Sequence, residues 1–116
     1  MKASFKRRKG GNLEREFAKL IRRYKLDSDA QRRPMSGALK MVSGYGDIYT
    51  KLPFAFECKW QERMDFWGWW EQAESQQTMQ KPAVLVHKAN DRPIMVSMKA
   101  ETFLNLLKEL KDYVRT

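Results

Sequence analysis

The sequence predicts one α/β domain in which a mixed central β-sheet is flanked by helices. Two observations support this prediction: apolar residues recur at helical spacing near both ends of the chain, and short runs with strand-like alternation lie between them. The length of 116 residues suffices for one hydrophobic core and is too short for a second domain. The predicted order of elements is αβββαββα.

The first predicted element is a helix preceded by a basic arm. Residues 1–11 are polar and basic, which predicts a flexible arm, and residues 12–116 are predicted to form the folded domain. Asn12 is the expected N-cap of a helix that runs from about Leu13 to Tyr24 with one apolar stripe. The polar composition of Leu26–Ser36 predicts a loop.

Three strands are predicted next. Gly37–Val42 is a short strand, and Ser43–Gly46 is a turn. Asp47–Lys51 and Phe54–Trp60 are two further strands, and the tight connection at Leu52-Pro53 predicts that they pair as a hairpin.

The second half of the chain contains two helices and two strands in this prediction. Asp65–Gln80 is a helix that Pro82 ends, and Ala83–Lys88 and Ile94–Met98 are strands. The last helix has an amphipathic stripe made of Phe103, Leu106, Leu107, Leu110 and Val114.

The composition excludes several classes of protein. The formal charge is +9, and residues 1–40 contain 13 basic and four acidic side chains, whereas residues 41–116 contain ten of each. Polyanions are therefore the expected partners of the first third of the chain. The single Cys58 excludes a disulfide framework and a multi-cysteine zinc site. No apolar run reaches the roughly 20 residues of a membrane span, and no apolar stretch follows the basic start as in a signal peptide.

The predicted chemistry lies on the Phe54–Trp60 strand. Because side chains alternate between the two faces of a strand, Glu57 and Lys59 share one face while Cys58 points to the core. On the preceding strand Asp47 points away from the core, so a hairpin would bring it beside the other two. Two neighbouring carboxylates repel each other unless a cation or proton lies between them. Oxygen ligands at a few fixed positions suit Mg²⁺, which can activate a water for attack on a phosphodiester. Lys59 could orient or help deprotonate that water, or hold the scissile phosphate. The plainer interpretation is that Glu-x-Lys marks a solvated strand face, which is common in a chain with 32% charged residues.

A third carboxylate is expected from the first helix. Glu14 and Glu16 flank its apolar stripe on opposite sides, so periodicity does not choose between them. Lys19 lies three residues after Glu16, so a surface ion pair explains why a glutamate stands at position 16. Glu14 has no basic residue at that spacing. Glu14 is therefore the better candidate for a site residue.

Four segments in order resemble the PD-(D/E)xK nuclease superfamily, most closely the small archaeal-type Holliday-junction resolvases and their phage-encoded relatives. The segments are Lys9–Phe17, Arg33 with Ser36-Gly37, Gly46-Asp47-Ile48 and Glu57-Cys58-Lys59. The resemblance runs from Lys9 to about Lys88, and it implies a restriction-endonuclease-like fold. Gly46 stands where the superfamily often has a proline, a common variant that keeps the carboxylates.

The resemblance also implies a role for each matching residue. Glu14, Asp47, Glu57 and Lys59 would be the catalytic set. Asp47 and Glu57 would bind Mg²⁺, with Mn²⁺ as a substitute, together with the backbone carbonyl of Cys58, and Glu14 would bind the metal or its water.

Two further groups of residues complete the expected site. Gln72 is the candidate for a glutamine that positions water, and Gln76 and Gln77 are nearby alternatives. The residues expected to contact DNA are Arg8, Lys9, Arg15, Arg32, Arg33 and Ser36.

These observations predict a Mg²⁺-dependent DNA endonuclease of the resolvase type, acting as a homodimer without membrane or small-molecule cofactor. Three tryptophans, Trp67, Trp69 and Trp70, cannot all face one core, so at least one is expected at the subunit interface. One alternative is a general duplex or flap nuclease of the same superfamily. Another is a basic DNA-binding module whose acidic cluster is structural. The expected location is the cytoplasm near the nucleoid, in a host cell if the protein is phage-encoded.

Overall fold

The computed structural model describes residues 2–33 and 46–115. Within these ranges it contains three helices and five strands in the order αβββαββα, in which the first strand is not the one predicted at Gly37–Val42. The elements are α1 (Lys2–Arg23), β1 (Gln31–Arg32), β2 (Ile48–Tyr49), β3 (Ala55–Trp60), α2 (Phe66–Ser75), β4 (Ala83–Lys88), β5 (Met95–Ser97) and α3 (Ala100–Arg115). Among the described helices, none is long and apolar enough to cross a membrane.

The main sheet is mixed, as predicted. Its strand order is β3-β4-β5, with β3 parallel to β4 and β5 antiparallel to β4. The parallel pair is connected through α2, because two parallel neighbours need a crossover between them. A separate antiparallel pair joins β1 and β2.

Helices cover both faces of the main sheet, which gives three layers. On one face Phe56 and Cys58 of β3 form a core with Leu13 and Ile21 of α1. On the other face Trp69 and Trp70 of α2 pack against Leu85 of β4. The restriction-endonuclease-like α/β fold expected from the sequence is compatible with this arrangement.

The predicted hairpin between the second and third strands is wrong. β2 pairs with β1, and β3 contacts the preceding segment through an isolated bridge from Gly46 to Phe56. The reason lies in the polar partners of the connection. The Asp27 carboxylate accepts hydrogen bonds from the Thr50 hydroxyl at 2.6 Å and the Lys51 amide at 2.8 Å. The Lys81 ammonium donates to the Thr50 and Leu52 carbonyls, each at 3.0 Å. These groups are therefore not available for a hairpin ladder.

Helix boundaries differ from the prediction in two places. α1 begins at Lys2 instead of Leu13, so residues expected in a flexible arm are helical. Asn12 lies inside the helix, where its side chain accepts a hydrogen bond from Arg15 at 2.9 Å instead of capping the backbone. Two glycines reduce helix stability by about 1 kcal/mol each but do not end a helix whose neighbours favour it. The boundary of the folded domain at residue 12 stays a prediction.

α2 ends at Ser75, with Gln76 as its C-cap, and does not continue to Gln80. At its start, Asp65 is the N-cap and accepts a hydrogen bond from the Gly68 amide at 3.3 Å. β1 occupies residues that the sequence predicts to be loop. The strand predicted at Gly37–Val42 lies outside the described residues.

Candidate active site

The candidate site lies along the outer edge of β3, which is at the edge of the main sheet among the strands that the structure describes. The Asp47 amide donates to the Phe56 carbonyl at 2.7 Å, and the Asp47 carboxylate accepts from the Cys58 amide at 2.7 Å. The Arg33 amide donates to the Asp47 carbonyl at 2.8 Å. Asp47 therefore occupies the backbone groups of Phe56 and Cys58 that a neighbouring strand would otherwise use. Its carboxylate is fixed by the same backbone that carries Glu57 and Lys59.

Gly46 makes this close approach possible. Its φ is +61°, in the left-handed region that favours glycine. A Cβ atom at this position would also overlap the Phe56 carbonyl oxygen. Only a glycine lets the backbone come this close to β3 in this conformation.

The predicted alternation along β3 is confirmed. Cys58 is 5% exposed and belongs to the core that α1 covers. Glu57 is in register with Leu85, so it projects from the face that α2 covers, and Lys59 follows on the same face. The Lys59 ammonium lies 4.0 Å from the Glu57 carboxylate, and the two side chains are 21% and 14% exposed. A partly covered face therefore contains a carboxylate and an ammonium group side by side.

Glu14 approaches the same edge from the α1 side. Its carboxylate accepts a hydrogen bond from the Arg32 guanidinium at 2.6 Å, and the Glu14 side chain is 15% exposed. Helical spacing shows no basic partner for Glu14, because spacing along one helix reports only neighbours on that helix. The partner is 18 residues away, on β1, where the resemblance suggested only a DNA contact.

The three carboxylates influence one another electrostatically. Burial and then the charge of Asp47 raise the pKa of Glu57 to about 7, while Lys59 opposes the shift. Burial and then Asp47 also raise the pKa of Glu14, against the effect of Arg32. Burial raises the pKa of Asp47 despite the hydrogen bond from the Cys58 amide. The negative charges are thus held together at an unfavourable cost that a bound cation would relieve.

The oxygen donors at the β3 edge fit a hard divalent cation. Asp47 and Glu57 supply carboxylates, and the Cys58 carbonyl points to the same edge as its amide, which already contacts Asp47. Mg²⁺ keeps several waters and commonly takes only one or two protein carboxylates. Within the described ranges, no three His, Cys, Asp or Glu side chains are gathered closely enough to hold an ion. Glu14, paired with Arg32, does not complete such a group.

The thiol of Cys58 is inert in this arrangement. Burial, followed by the charges of Asp47, Glu14 and Glu57, raises the pKa of the thiol well above its usual value. The structure thus confirms that Cys58 packs in the core.

The residues expected to contact DNA lie in different environments. Arg33 lies at the site, where its guanidinium donates to the Gly46 carbonyl at 3.3 Å. Arg15 is exposed on α1. Lys9 is only 12% exposed, and its ammonium contacts Glu62 at 3.4 Å and Asn90 at 3.1 Å. The Arg8 side chain and Ser36 lie outside the described residues.

Gln72 is not joined to the carboxylates by any described hydrogen bond. Its side chain is exposed on α2, and its backbone carbonyl accepts from the Ser75 hydroxyl at 2.6 Å. Gln77 accepts from the Ala83 amide at 3.4 Å, and Gln76 caps α2. A water-positioning role for one of these glutamines stays a prediction.

Carboxylates and a lysine at the edge of a mixed sheet, with a further glutamate on the first helix, are the features that the sequence shares with PD-(D/E)xK nucleases. The chain belongs to the family described as "Phage putative PDDEXK endonuclease", whose model matches residues 5–116. The predicted superfamily is therefore confirmed. Membership indicates a nuclease, and hence DNA as the substrate. A search of curated proteins and a search of solved structures found no match.

Proposed function

We propose that the protein is a Mg²⁺-dependent DNA endonuclease, with Mn²⁺ able to substitute. The observation that supports this most directly is the group of Asp47, Glu57 and Lys59 at the edge of β3, where burial and then the negative charge of Asp47 raise the pKa of Glu57 to about 7. A structural acidic cluster gains nothing from such repulsion, whereas a metal site uses it to bind a cation.

In this proposal Asp47, Glu57 and the Cys58 carbonyl would hold the metal. Glu14 would bind the metal or its water, for which its carboxylate would have to turn from Arg32 toward the ion or be shared between the two. When bound, the ion supplies a Lewis acid for a phosphate oxygen and an activated water for hydrolysis. Lys59 orients the attacking water or holds the scissile phosphate. Its ammonium lies 4.0 Å from the Glu57 carboxylate. Arg33, which donates to the Gly46 carbonyl, would contact the phosphate backbone near the cut in this proposal. Gln72 is retained as the candidate for positioning water.

We further propose that the preferred DNA substrate is branched, such as a four-way junction. Two copies of a small nuclease related by a two-fold axis can cut two strands symmetrically, which a junction requires. The DNA substrate would place the protein at the nucleoid, in the cytoplasm of a host cell.

The proposed homodimer is supported by the apolar row of α3, which we define as Phe103, Leu107, Leu110 and Val114. All four are exposed, from 44% for Leu107 to 73% for Val114. Residues 99–114 contain three lysines and three acidic residues, so this surface is neutral in a chain of charge +9. A neutral apolar helix face lets two strongly basic copies meet without the repulsion that other faces would cause. Trp69 and Trp70 are buried in one core, whereas Trp67 is 72% exposed and is the tryptophan left for an interface.

The proposed activity is tested by incubating the protein with a fixed four-way junction and with a linear duplex of the same arm sequence, in Mg²⁺ and in EDTA. Paired, symmetric nicks on the junction alone are the expected result. Equal cutting of the duplex would instead assign a general duplex or flap nuclease. Failure to cut either DNA in Mg²⁺ or Mn²⁺ would overturn the proposal. The alternative of a non-catalytic DNA-binding module would then remain. Asp47→Asn, which keeps the shape of the side chain, is the inactive control.

A further inference from the structure

A basic groove lies beside the carboxylate site, with a volume of about 700 Å³. Five cationic side chains line it: Arg15, Lys19 and Arg22 from α1, Arg32 from β1, and Lys88 from the end of β4. Glu16 is the one acidic residue of its lining. Cations gathered in a concave surface repel each other and concentrate a positive field, so an anion is the ligand that this groove fits.

The α1 side chains of the groove follow helical spacing. Arg15, Lys19 and Arg22 are four and three residues apart, so they lie on one face of α1. With a rise of about 1.5 Å per residue, they extend over roughly 10 Å. Phosphates of one duplex strand follow each other about every 3.4 Å along the axis, so the row is long enough to meet more than one of them. A single small anion would need only part of such a row.

One end of the groove reaches the candidate active site through Arg32. Its guanidinium lines the groove and also donates to the Glu14 carboxylate at 2.6 Å. A strand whose backbone lies in the groove would therefore pass beside Glu14 at this end. Guanidinium groups have five donors, so the described bonds of Arg15 and Arg22 leave donors for a phosphate.

Trp60 forms an apolar part of the groove but is occupied by protein groups. Its indole Nε1 donates to Asn90 at 2.8 Å, and the Lys88 ammonium lies 4.3 Å from the ring centroid. Lys9 lies on the same ring at 5.9 Å. A ring whose π-system contacts two lysine ammonium groups stabilises those positive charges. It is therefore not available for stacking with bases. The groove accordingly contacts the backbone and does not read the sequence.

We propose that this groove binds the phosphate backbone of the DNA strand next to the cut, and that Lys19, Arg22 and Lys88 are binding residues in addition to Arg15 and Arg32. The inference rests on the proposed function, because it assigns the DNA path to the same site. Arg15 and Arg32 were expected from the sequence, whereas Lys19, Arg22 and Lys88 come from the shape of the groove alone.

The test is the salt dependence of DNA binding, measured by fluorescence anisotropy with a labelled duplex in EDTA, where no metal-dependent cleavage occurs. The groove variant is Lys19→Gln with Lys88→Gln. The matched control is Lys108→Gln with Lys111→Gln on the exposed surface of α3, which removes the same net charge. Thermal melts check that both variants fold as the wild-type protein does.

The groove variant should bind about fivefold to tenfold more weakly at about 0.15 M salt, and its slope of log K against log salt should shrink by about 1.8. The control should keep the wild-type slope. Equal slopes for all three proteins, or an equal loss in variant and control, would overturn the proposal because only net charge would then matter. Since binding in EDTA is independent of catalysis, a failed cleavage assay with a reduced groove slope would reject the nuclease proposal and keep the groove.

Discussion

At the scale of single residues, the site depends on a few side chains whose positions are fixed by the backbone of β3. Alternation along β3 was sufficient to predict that Glu57 and Lys59 share a face and that Cys58 is buried, because this periodicity is a local property. The contact of Asp47 with the Cys58 amide and the pairing of Glu14 with Arg32 could not be predicted. Both join residues far apart in sequence, and only the tertiary fold brings them together.

The mutual repulsion of the carboxylates gives a prediction about Glu57. Asp47→Asn removes a neighbouring negative charge and should lower the pKa of Glu57 from about 7 toward its ordinary value. Lys59→Ala removes the opposing positive charge and should raise it. Carboxylate NMR titration of the metal-free protein measures both changes. The electrostatic description of the site is wrong if the pKa of Glu57 stays constant in both variants.

Lys59 gives a prediction about catalysis. Lys59→Ala should reduce the cleavage rate by about 10²-fold or more, the usual effect of losing a group that moves a proton or stabilises charge. DNA binding should change little, because Lys59 is one cation near many. Lys59→Arg, which keeps the charge in a different shape, should recover part of the rate. Wild-type cleavage by Lys59→Ala would remove this residue from the catalytic set.

At the scale of elements, the site needs the chain to run along β3 without forming a hairpin with it. The lengths of β3 and β4 were well predicted, and α2 was placed correctly at its start, because strong periodicity and the N-cap Asp65 are visible in sequence. The pairing of β2 with β1 was not predicted, because groups far away in the sequence decide which strands pair. Here these are Asp27 in the loop after α1 and Lys81 before β4.

Among the residues that shape the segment beside β3, we expect Gly46 to be the most sensitive to substitution. Gly46→Ala would place a Cβ against the Phe56 carbonyl in a backbone conformation with φ +61°, and should destabilise the fold by at least about 1 kcal/mol. It should also reduce cleavage, since Asp47 follows directly. In Gly11→Ala the new Cβ would meet only the flexible guanidinium of Arg32 at 3.3 Å. Urea unfolding should show a smaller loss for this control, and equal losses would contradict the explanation.

Asp27 links the end of α1 to the segment after β2 and gives a pH prediction. Hydrogen bonds from the Thr50 hydroxyl and the Lys51 amide hold the pKa of Asp27 below its usual 3.8. The ionised form therefore stabilises the fold above the ordinary carboxyl pKa, and this contribution is lost as the pH falls through the lower, folded value. Asp27→Asn should reduce the free energy of unfolding at pH 7, and the difference from wild type should shrink in acid. A difference that does not depend on pH would contradict this role.

At the scale of the whole molecule, charge and apolar surface are separated. The basic excess lies in the first 40 residues and lines the groove through α1 and β1, whereas α3 is neutral and exposes its apolar row. The amphipathic pattern of α3 predicted a helix correctly, but it could not show that the stripe faces outward. Periodicity shows which residues share a face, and the rest of the fold decides what covers that face.

The apolar row predicts how the protein assembles. Leu110→Glu places a charge in the middle of the row and should shift the molecular mass from dimer to monomer in light scattering at micromolar concentration. Burial of each such leucine contributes about 1.5–3 kcal/mol, so one change weakens a dimer strongly. Asn105→Glu, an exposed polar position on the same helix, should leave the mass unchanged. A wild-type protein that is already monomeric would exclude this interface.

The central claim is that carboxylates at the edge of β3 form a metal-dependent nuclease centre, and single-turnover cleavage of DNA at saturating Mg²⁺ tests it most directly. The comparison is between wild type, Glu57→Gln at the site and Glu71→Gln on the exposed surface of α2. Wild type and Glu71→Gln should cleave at the same rate, and Glu57→Gln should be slower by about 10²-fold or more with DNA binding retained. Cleavage by Glu57→Gln at the wild-type rate, or no cleavage by the wild-type protein in Mg²⁺ or Mn²⁺, would contradict the claim.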